Sequence, residues 1–464
     1  MTKAASRSTP SAVIPTRLHP SGFEKSDSNF YSLTIASDGC VYYTLSSHNI
    51  DTHARSYRYD PAKDELRLAF DLGEAAGEKG LKAIPQGKSH SPYFESDGKL
   101  YLATHFGFFA STADREHPAP VPAGYKPYPG GHILSYDLSS GRTEDLGKAP
   151  PEEGIITLNM DASRGFLYGL TWPTGLFLVF DIEKRQMRNL GPVCRGGEVG
   201  AGDQYRCLVR SFAVDPRDGM VYFTTSDGAI QRYNPGTEAV EPFGAVHMKR
   251  DIFGAWDPDR AGHQGYNWRD ILWHEESQVF YGVHPRSGYL FLFEPHAGRL
   301  ELIERICADE LRRTGHYEPF HYGYLTLQLG PDRKTLYYLT SSYGVPTDDG
   351  GLIPAAHLVN PGHKSSDTER RAYRLPDGRR IVETIHLVTY DLSTREYADH
   401  GVLRLDDNRY PRMSQCHAVH PSGRCFAAPW IPRPLGGPDD RPRWQCDLIS
   451  FPDPLAKKKT KEKG

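Results

Sequence analysis

The sequence of 464 residues lacks any run approaching the roughly 20 consecutive apolar residues of a membrane-spanning helix. It also lacks an excess of either charge, with 55 Lys and Arg against 58 Asp and Glu and a formal net charge of -3. A chain so balanced has no electrostatic hold on nucleic acid or an acidic membrane, and neither is expected as a partner. Cysteine is scarce. The seven residues Cys40, Cys194, Cys207, Cys307, Cys416, Cys425 and Cys446 are odd in number, widely scattered and without a CxxC pair. That pattern reads as reduced thiols rather than a disulfide framework. There is no GxSxG, no P-loop and no paired-carboxylate constellation that the sequence alone can place, so no familiar catalytic motif assigns a reaction. The segment 1–20 is rich in Ser, Thr and Pro and has no apolar core of a secretory signal. A cytoplasmic location is expected unless a signal has been removed. The Lys-rich end, 456–464, is expected to be solvated and disordered.

What the chain has in quantity is punctuation. Its 45 glycines and 36 prolines favour many short strands over long helices. One pattern recurs seven times. A short apolar or alternating strand runs into a turn, written SDG (37–39), SDG (96–98), SRG (163–165), RDG (217–219), EES (275–277), PDR (331–333) and PSG (421–423). An aromatic follows in the next strand: Tyr42, Tyr101, Tyr168, Tyr222, Tyr281, Tyr337 and Phe426. A third strand then ends in an aromatic, usually with Asp, Asn, Glu or Pro behind it, from Tyr59-Asp60 to Phe451-Pro452. Short antiparallel strands at this spacing are the signature of propeller blades, whose radial repetition protects the sheet edges. The pattern predicts an all-β, single-domain, seven-bladed β-propeller of four-stranded antiparallel blades over 30–455. Residues 1–29 form an N-terminal segment, expected to supply a ring-closing strand.

In such a fold the start of each innermost strand and the loop after each second strand share one face, around the channel mouth. The repeat puts Tyr31, His90, Ile156, Arg210, Arg269, Leu325 and Gln415 at equivalent places there. The residues that follow, such as Pro92, Phe94, Phe212, Val214, Ile271 and Trp273, are apolar and are expected to pack between blades. The same-face loops carry His105, Trp172 and His284, with His132 at the start of a third strand. The insertions 107–130 and 343–384 leave from these loops and are expected to wall a cleft. Loops on a rigid scaffold are the usual home of a site.

His90 and His105 sit at the mouth ends of adjacent strands, where two imidazoles can serve one substrate as base and hydrogen-bond donor. Arg210 and Arg269 can grip a carboxylate or sulfate bidentately. Tyr322 and Tyr324 precede an inner strand and offer phenol donors, or core packing. Gln415 and His417, two residues apart on one strand face, offer a divalent metal (Ca, Mn or Zn) a partial site with His284 or His386. No cofactor is required by the sequence itself.

The segment SHSPYFESDGKLYLATH, with YPGGHILSYDL after it, resembles the seven-bladed propeller polysaccharide lyases, a group that includes the ulvan and rhamnose–glucuronate lyases. The resemblance implies β-elimination next to a uronic acid, with His90 and His105 matching the family's two histidines. The family's Tyr and Arg of the next blade are not carried over, since Ile156 or Thr157 and Trp172 stand at those places. SQCHAVHPSG is similar to the last-blade metal strand of oligogalacturonate lyases, with Gln415 and His417 as the matching ligands. The implied partner is a uronate-containing saccharide. Beside this lyase stand a non-catalytic sugar- or protein-binding propeller and a glycoside hydrolase or isomerase on the same face.

Overall fold

A computed structural model describes residues 11–112, 115–253, 264–320, 322–348, 351–359, 377–433 and 444–456. The Lys-rich end expected to be disordered lies, apart from Ala456, outside the described residues.

Each of the recurring turns reverses the chain between two antiparallel strands. Each needs one residue in the left-handed backbone region, and the series runs from Gly39 (φ 75°) to Gly423 (φ 82°). Glycine takes that conformation without a Cβ clash. Where the motif has none, Gln278 (φ 55°) and Arg333 (φ 57°) are held there instead. The acid after the third strand has a local task. The Asp60 carboxylate accepts the N–H groups of Ala62 and Lys63, and Asp391 does the same for Ser393 and Thr394, fixing the turn that follows.

The strands assemble into five separate four-stranded antiparallel sheets and one larger sheet. The five span Leu33–Asp71, Phe94–Lys148, Gly154–Pro192, Ala213–Pro242 and Asp270–Arg305, and are called blades one to five below. The larger sheet is nine-stranded. Its order is Gln328–Leu329, Thr335–Pro346, Val382–Asp391, Tyr397–Leu405, Val13–His19, Leu448–Pro452, Arg424–Ala427 and Ala418–His420, with Leu352–Pro354 on the second of these. Val13–His19 is shared: residues Val13 to Thr16 run parallel to Val402–Leu405, and Arg17 to His19 run antiparallel to Leu448–Ser450. Its pairing covers two strand edges that would otherwise stand open.

The repeated aromatics explain why the sheets stand in a ring. The second-strand aromatic of one sheet packs against the third-strand aromatic of the next. Tyr42 meets Tyr136 at 5.8 Å between ring centroids, Tyr168 meets Tyr233 at 5.5 Å, and Tyr222 meets Phe293 at 5.4 Å. Tyr101 with Phe180, Tyr281 with Tyr390, and Tyr337 with Phe451 share buried clusters in the same sense. Phe426, in the last repeat, returns to Tyr59 of blade one at 5.7 Å, so the order closes on itself. Each aromatic of this size buries about 150–250 Å², which makes these seams the main apolar stabilisation between sheets. The fold is a β-propeller with four-stranded antiparallel blades.

Polar seams join the innermost strands. Thr34 donates to the Tyr93 carbonyl (3.0 Å), Asn159 to that of Phe212 (2.7 Å), and Trp268 Nε1 to that of Ser211 (2.8 Å). The inner-strand apolar residues pack between blades as expected: Phe212 and Ile271 belong to a buried cluster that Val214 and Trp273 pack against, and Phe94 packs against the next. With Pro92 they also line a cavity of about 480 Å³. Alternate side chains of an innermost strand turn to the two neighbouring blades. All seven cysteines are free and buried. No helix among the described residues is long and apolar enough to cross a membrane.

Candidate functional site

At the mouth the structure brings His90 and His105 together, their ring centroids 6.1 Å apart and their planes nearly perpendicular. The alignment of inner-strand starts placed His90. His105 is set beside Lys88 by a pair of backbone hydrogen bonds. The Nδ1 atoms of both imidazoles are buried and have no hydrogen-bond partner. Burial drives both pKa values well below the ordinary histidine range. The neighbouring charges of Arg210, Arg269 and Lys88 add to this at His90, and those of Lys88 and Arg210 at His105. Both rings are therefore neutral at pH 7, and neutral imidazole is the form that can accept a proton.

Arg210 and Arg269 come from the same position of neighbouring blades and are buried, yet their environments differ. Arg210 donates to Glu198 at 3.0 Å and to the Leu208 carbonyl. Burial works against its charge, but Glu198, Cys207 and Glu116 together outweigh that and raise its pKa. Arg269 donates to Gln415 Oε1 at 2.8 Å, while its Nε and Nη1 have no hydrogen-bond partner. Burial, with Arg210 alongside, lowers its pKa to about 9. A guanidinium left so incompletely paired in the interior is costly to hold, and an incoming anion relieves that cost. The adjacent carboxylate, Asp270, faces away from it. It accepts from the phenol of Tyr31 (2.7 Å) and the N–H of Leu327 (3.0 Å).

Glu198 is a hub. Besides Arg210 it accepts from Trp172 Nε1 at 2.9 Å and from the Leu208 N–H at 2.9 Å. Trp172 is buried and sets its ring edge-on to His105 at 5.6 Å, so it props the histidine and anchors the carboxylate. Tyr322 packs on Tyr205 and Cys207 near Glu198, and burial raises its pKa far above the ordinary phenol value.

The first insertion reaches this face. Phe109 lies at its base, and its short hairpin, Ala110–Thr112 with Arg115–His117, stands against Gly197–Val199. Glu116 of the hairpin lies within electrostatic reach of Lys88, Arg210 and Tyr322. The second insertion leaves from the mouth end of Thr335–Pro346, and its stretch 360–376 lies outside the described residues. The mouth is more enclosed than its loop composition suggested: His90 is 6% exposed, His105 4% and Arg269 2%.

Four expectations need correction. Tyr324 is core: its ring packs among Tyr338 and Phe320, and its hydroxyl accepts the Phe320 N–H, so it offers no acid to the mouth. His132 is tied between Asp145 (2.9 Å) and Glu78 (3.0 Å), because its strand lies third from the axis. His284 has both nitrogens occupied, by Ser287 and the Gly265 carbonyl, and stacks on Phe253 at 3.8 Å. Gln415 and His417 do not converge. Gln415 serves Arg269, whereas the His417 ring stacks on Phe451 (6.0 Å) between sheets, and His386 is held by Asp399. Among the described residues, the His, Cys, Asp and Glu group at metal-binding spacing is Asp215, Asp218 and His296, at the turn end of blade four.

Sequence reasoning passed over Lys88, Glu198 and Glu116. Lys88 stands two residues before His90 in a stretch outside any strand, where no repeat position marks it. The two glutamates come from irregular loops that no repeat aligns. Lys88 is 2% exposed, with its ammonium over the rings of Phe30 (4.4 Å) and Phe109 (3.9 Å).

Fold and site together define a β-propeller with an enclosed, cation-lined mouth around two neutral imidazoles. No family model and no curated protein matches the sequence. Among solved structures, the chain is similar to a component of a mitotic checkpoint complex at 9% identity, covering 97% of both chains with a TM-score of 0.46. It is similar to a β-propeller domain from Myceliophteria thermophila at 7% identity, covering 87% of this chain and 94% of that one with a TM-score of 0.46. It is also similar to an auxiliary nutrient binding protein from Bacteroides thetaiotaomicron at 11% identity, covering 67% and 66% with a TM-score of 0.38. Likeness at this level says nothing of what the chain binds or does.

Proposed function

We propose that the chain is a seven-bladed propeller whose mouth receives the acidic end of a uronate-bearing saccharide and cleaves it by β-elimination. The blade count takes the nine-stranded sheet as two blades stitched through Val13–His19, which closes the ring. The seven turn-linked strand pairs and the closed series of aromatic seams support it. The observation that carries the functional reading is Arg269, buried with two guanidinium nitrogens unpartnered, within electrostatic reach of His90, whose Nδ1, like that of the neighbouring His105, is also unpartnered.

β-Elimination needs those groups. The C5 hydrogen of a uronate is acidic only when the adjacent carboxylate charge is neutralised, which falls to Arg269, with Arg210 behind it. A neutral His90 takes the C5 proton, electrons move into a C4=C5 double bond, and the C4–O4 bond breaks with O4 leaving. His105 is the helper that holds the sugar. Binding the carboxylate offsets the positive field on His90, so its basicity rises as the substrate arrives. Enclosure favours one end of a short saccharide over the middle of a polymer.

The same enclosure supports a second reading, a saccharide-binding propeller without turnover. Incubation with a panel of uronate-containing oligosaccharides, read by absorbance of the unsaturated product, separates the two. The lyase reading expects product from the wild type and a loss of about 10²–10⁴-fold in His90→Gln. Binding without any absorbing product, on every member of the panel, overturns it in favour of the second.

A further inference from the structure

β-Elimination leaves one role unfilled, the acid that protonates the departing O4 oxygen. Tyr324 is core, and Tyr322 is a phenol made still less acidic by its surroundings. Asp270 and Glu198 are already engaged by hydrogen-bond donors. We infer that Lys88 is this acid, a catalytic residue that gives an Nζ proton to O4 as the C4–O4 bond breaks. The inference rests on the uronate reading above and deepens it.

Three observations lead to Lys88. First, its position: a reciprocal pair of backbone hydrogen bonds bridges it to His105, and its charge reaches His90, so it sits at the same mouth as the two imidazoles. Second, its setting. The ammonium has no carboxylate within ion-pair distance among the described residues, and is held instead over the faces of Phe30 and Phe109. Aromatic faces favour the cation without fixing its proton, as a carboxylate partner would. Phe30 in turn stacks on His90 at 5.2 Å, so one ring sets the position of both proton-transfer groups. Third, Lys88 is the charge that weighs most on His105 after burial itself, which places the two groups side by side. Burial lowers the lysine pKa to about 8, against the opposing pull of Glu116 and Asp27, which suits it to release a proton near neutral pH.

The balance is simple. The C5 proton passes to His90, the C4–O4 electron pair goes to oxygen, and a Lys88 Nζ–H is transferred to that oxygen. The enzyme returns to its starting state when His90 gives up its proton and Lys88 regains one through solvent. No oxidant or other co-reactant is consumed.

The test uses full-length protein and two uronates that differ only at C4. One carries an ordinary sugar alkoxide, and the other fluoride, which leaves without needing a proton on oxygen. Lys88→Met is expected to lose about 10²–10⁴-fold in kcat on the alkoxide substrate and less than about tenfold on the fluoride. Lys88→Arg, which keeps the charge but cannot release its proton, is expected to fail on the alkoxide in the same way. His90→Gln is expected to fail on both. If Lys88→Met does not fold, the wild-type pH profile decides: an alkaline fall in kcat near pH 8 is expected with the alkoxide and is absent with the fluoride. Equal losses on the two substrates, full activity in Lys88→Arg, or identical wild-type pH profiles overturn the assignment while leaving the lyase standing. A wild type that turns over neither substrate overturns the uronate reading itself.

Discussion

Tyr31 and Asp270 are joined across the channel by a 2.7 Å hydrogen bond from the phenol to the carboxylate, linking the inner side of blade one to that of blade five. The chain holds Tyr31 at φ 71°, a conformation costly for a residue with a Cβ, and such strain persists only where surrounding structure imposes it. The bond spans the channel between the cationic mouth and the apolar cavity, which Tyr31 also lines. Burial raises the Asp270 pKa to about 7, with the Tyr31 and Leu327 hydrogen bonds pulling the other way. A carboxyl group with a raised folded pKa contributes stability at low pH and loses it as pH rises through that value. Tyr31→Phe removes a donor to the ionised form. The expected cost is about 1 kcal/mol at pH 5.5 and about 1.5–3 kcal/mol at pH 8.5. Urea midpoints at the two pH values check this, and a cost independent of pH would remove Asp270 from the explanation.

Glu318 extends the same reasoning to the larger sheet. It is 2% exposed, accepts from Thr340 and Tyr338, and is pushed by burial to a pKa of about 7. Its folded value lies above the unfolded one, so the wild type loses stability between about pH 4.5 and 7 as the buried group is forced to ionise. Glu318→Gln does not ionise. Relative to wild type it is expected to gain about 3 kcal/mol across that window. Denaturant melts in steps from pH 4.5 to 8 read the difference, and parallel curves for the two proteins count against it.

The fold was legible because its signals are local and repeated. The turns need a left-handed residue at one place, and the paired aromatics face each other across every seam, so both leave the same mark seven times. The mouth was half legible. His90, Arg210, Arg269 and Gln415 follow from aligning inner-strand starts, and Arg269 does meet Gln415. What failed was the inference from face to function. A histidine at the correct end of a blade still chooses its partners by depth: His132, one strand further out, finds Asp145 and Glu78, and His284 finds Ser287. Glu198 and Glu116 come from loops with no counterpart in other repeats. A repeat-based reading has nothing to align them to.

His417 gives a test in the acid range. Stacked on Phe451, with the Thr326 backbone beside it, the ring is pushed by burial to a pKa of about 3. Here the folded value lies below the unfolded one, so the unfolded chain takes up a proton that the folded chain refuses. Stability from this residue is complete above about pH 6.5 and is lost as pH falls toward 3, at about 1.4 kcal/mol per pH unit. His417→Phe keeps the stacked ring without the proton site. Its stability is expected to fall less steeply between pH 6.5 and 4.5 than that of the wild type, which urea melts will show. Equal slopes would mean that the ring is not buried as described.

The two arginines of the mouth are expected to respond in opposite ways to the same substitution. Arg210→Met strands Glu198, which is 4% exposed and keeps the Trp172, Leu208 and Cys207 donors but no cation, so it is expected to cost about 3–5 kcal/mol. Arg269→Met removes a buried charge whose Nε and Nη1 have no partners, at the loss of one bond to Gln415. Replacing such a charge by an apolar side chain of similar length is expected to stabilise the ligand-free protein by about 1 kcal/mol or more. Function runs the other way: Arg269 is then a residue held at a cost to stability for the sake of its ligand. D-glucuronate should raise the urea midpoint of the wild type in proportion to the logarithm of its concentration, and should leave that of Arg269→Met unmoved. The measurement is a pair of urea melts at pH 7 for each variant, with and without glucuronate. Arginines that destabilise equally when replaced, or an Arg269→Met protein that still responds to glucuronate, would show that Arg269 is structural and that the acid binds elsewhere.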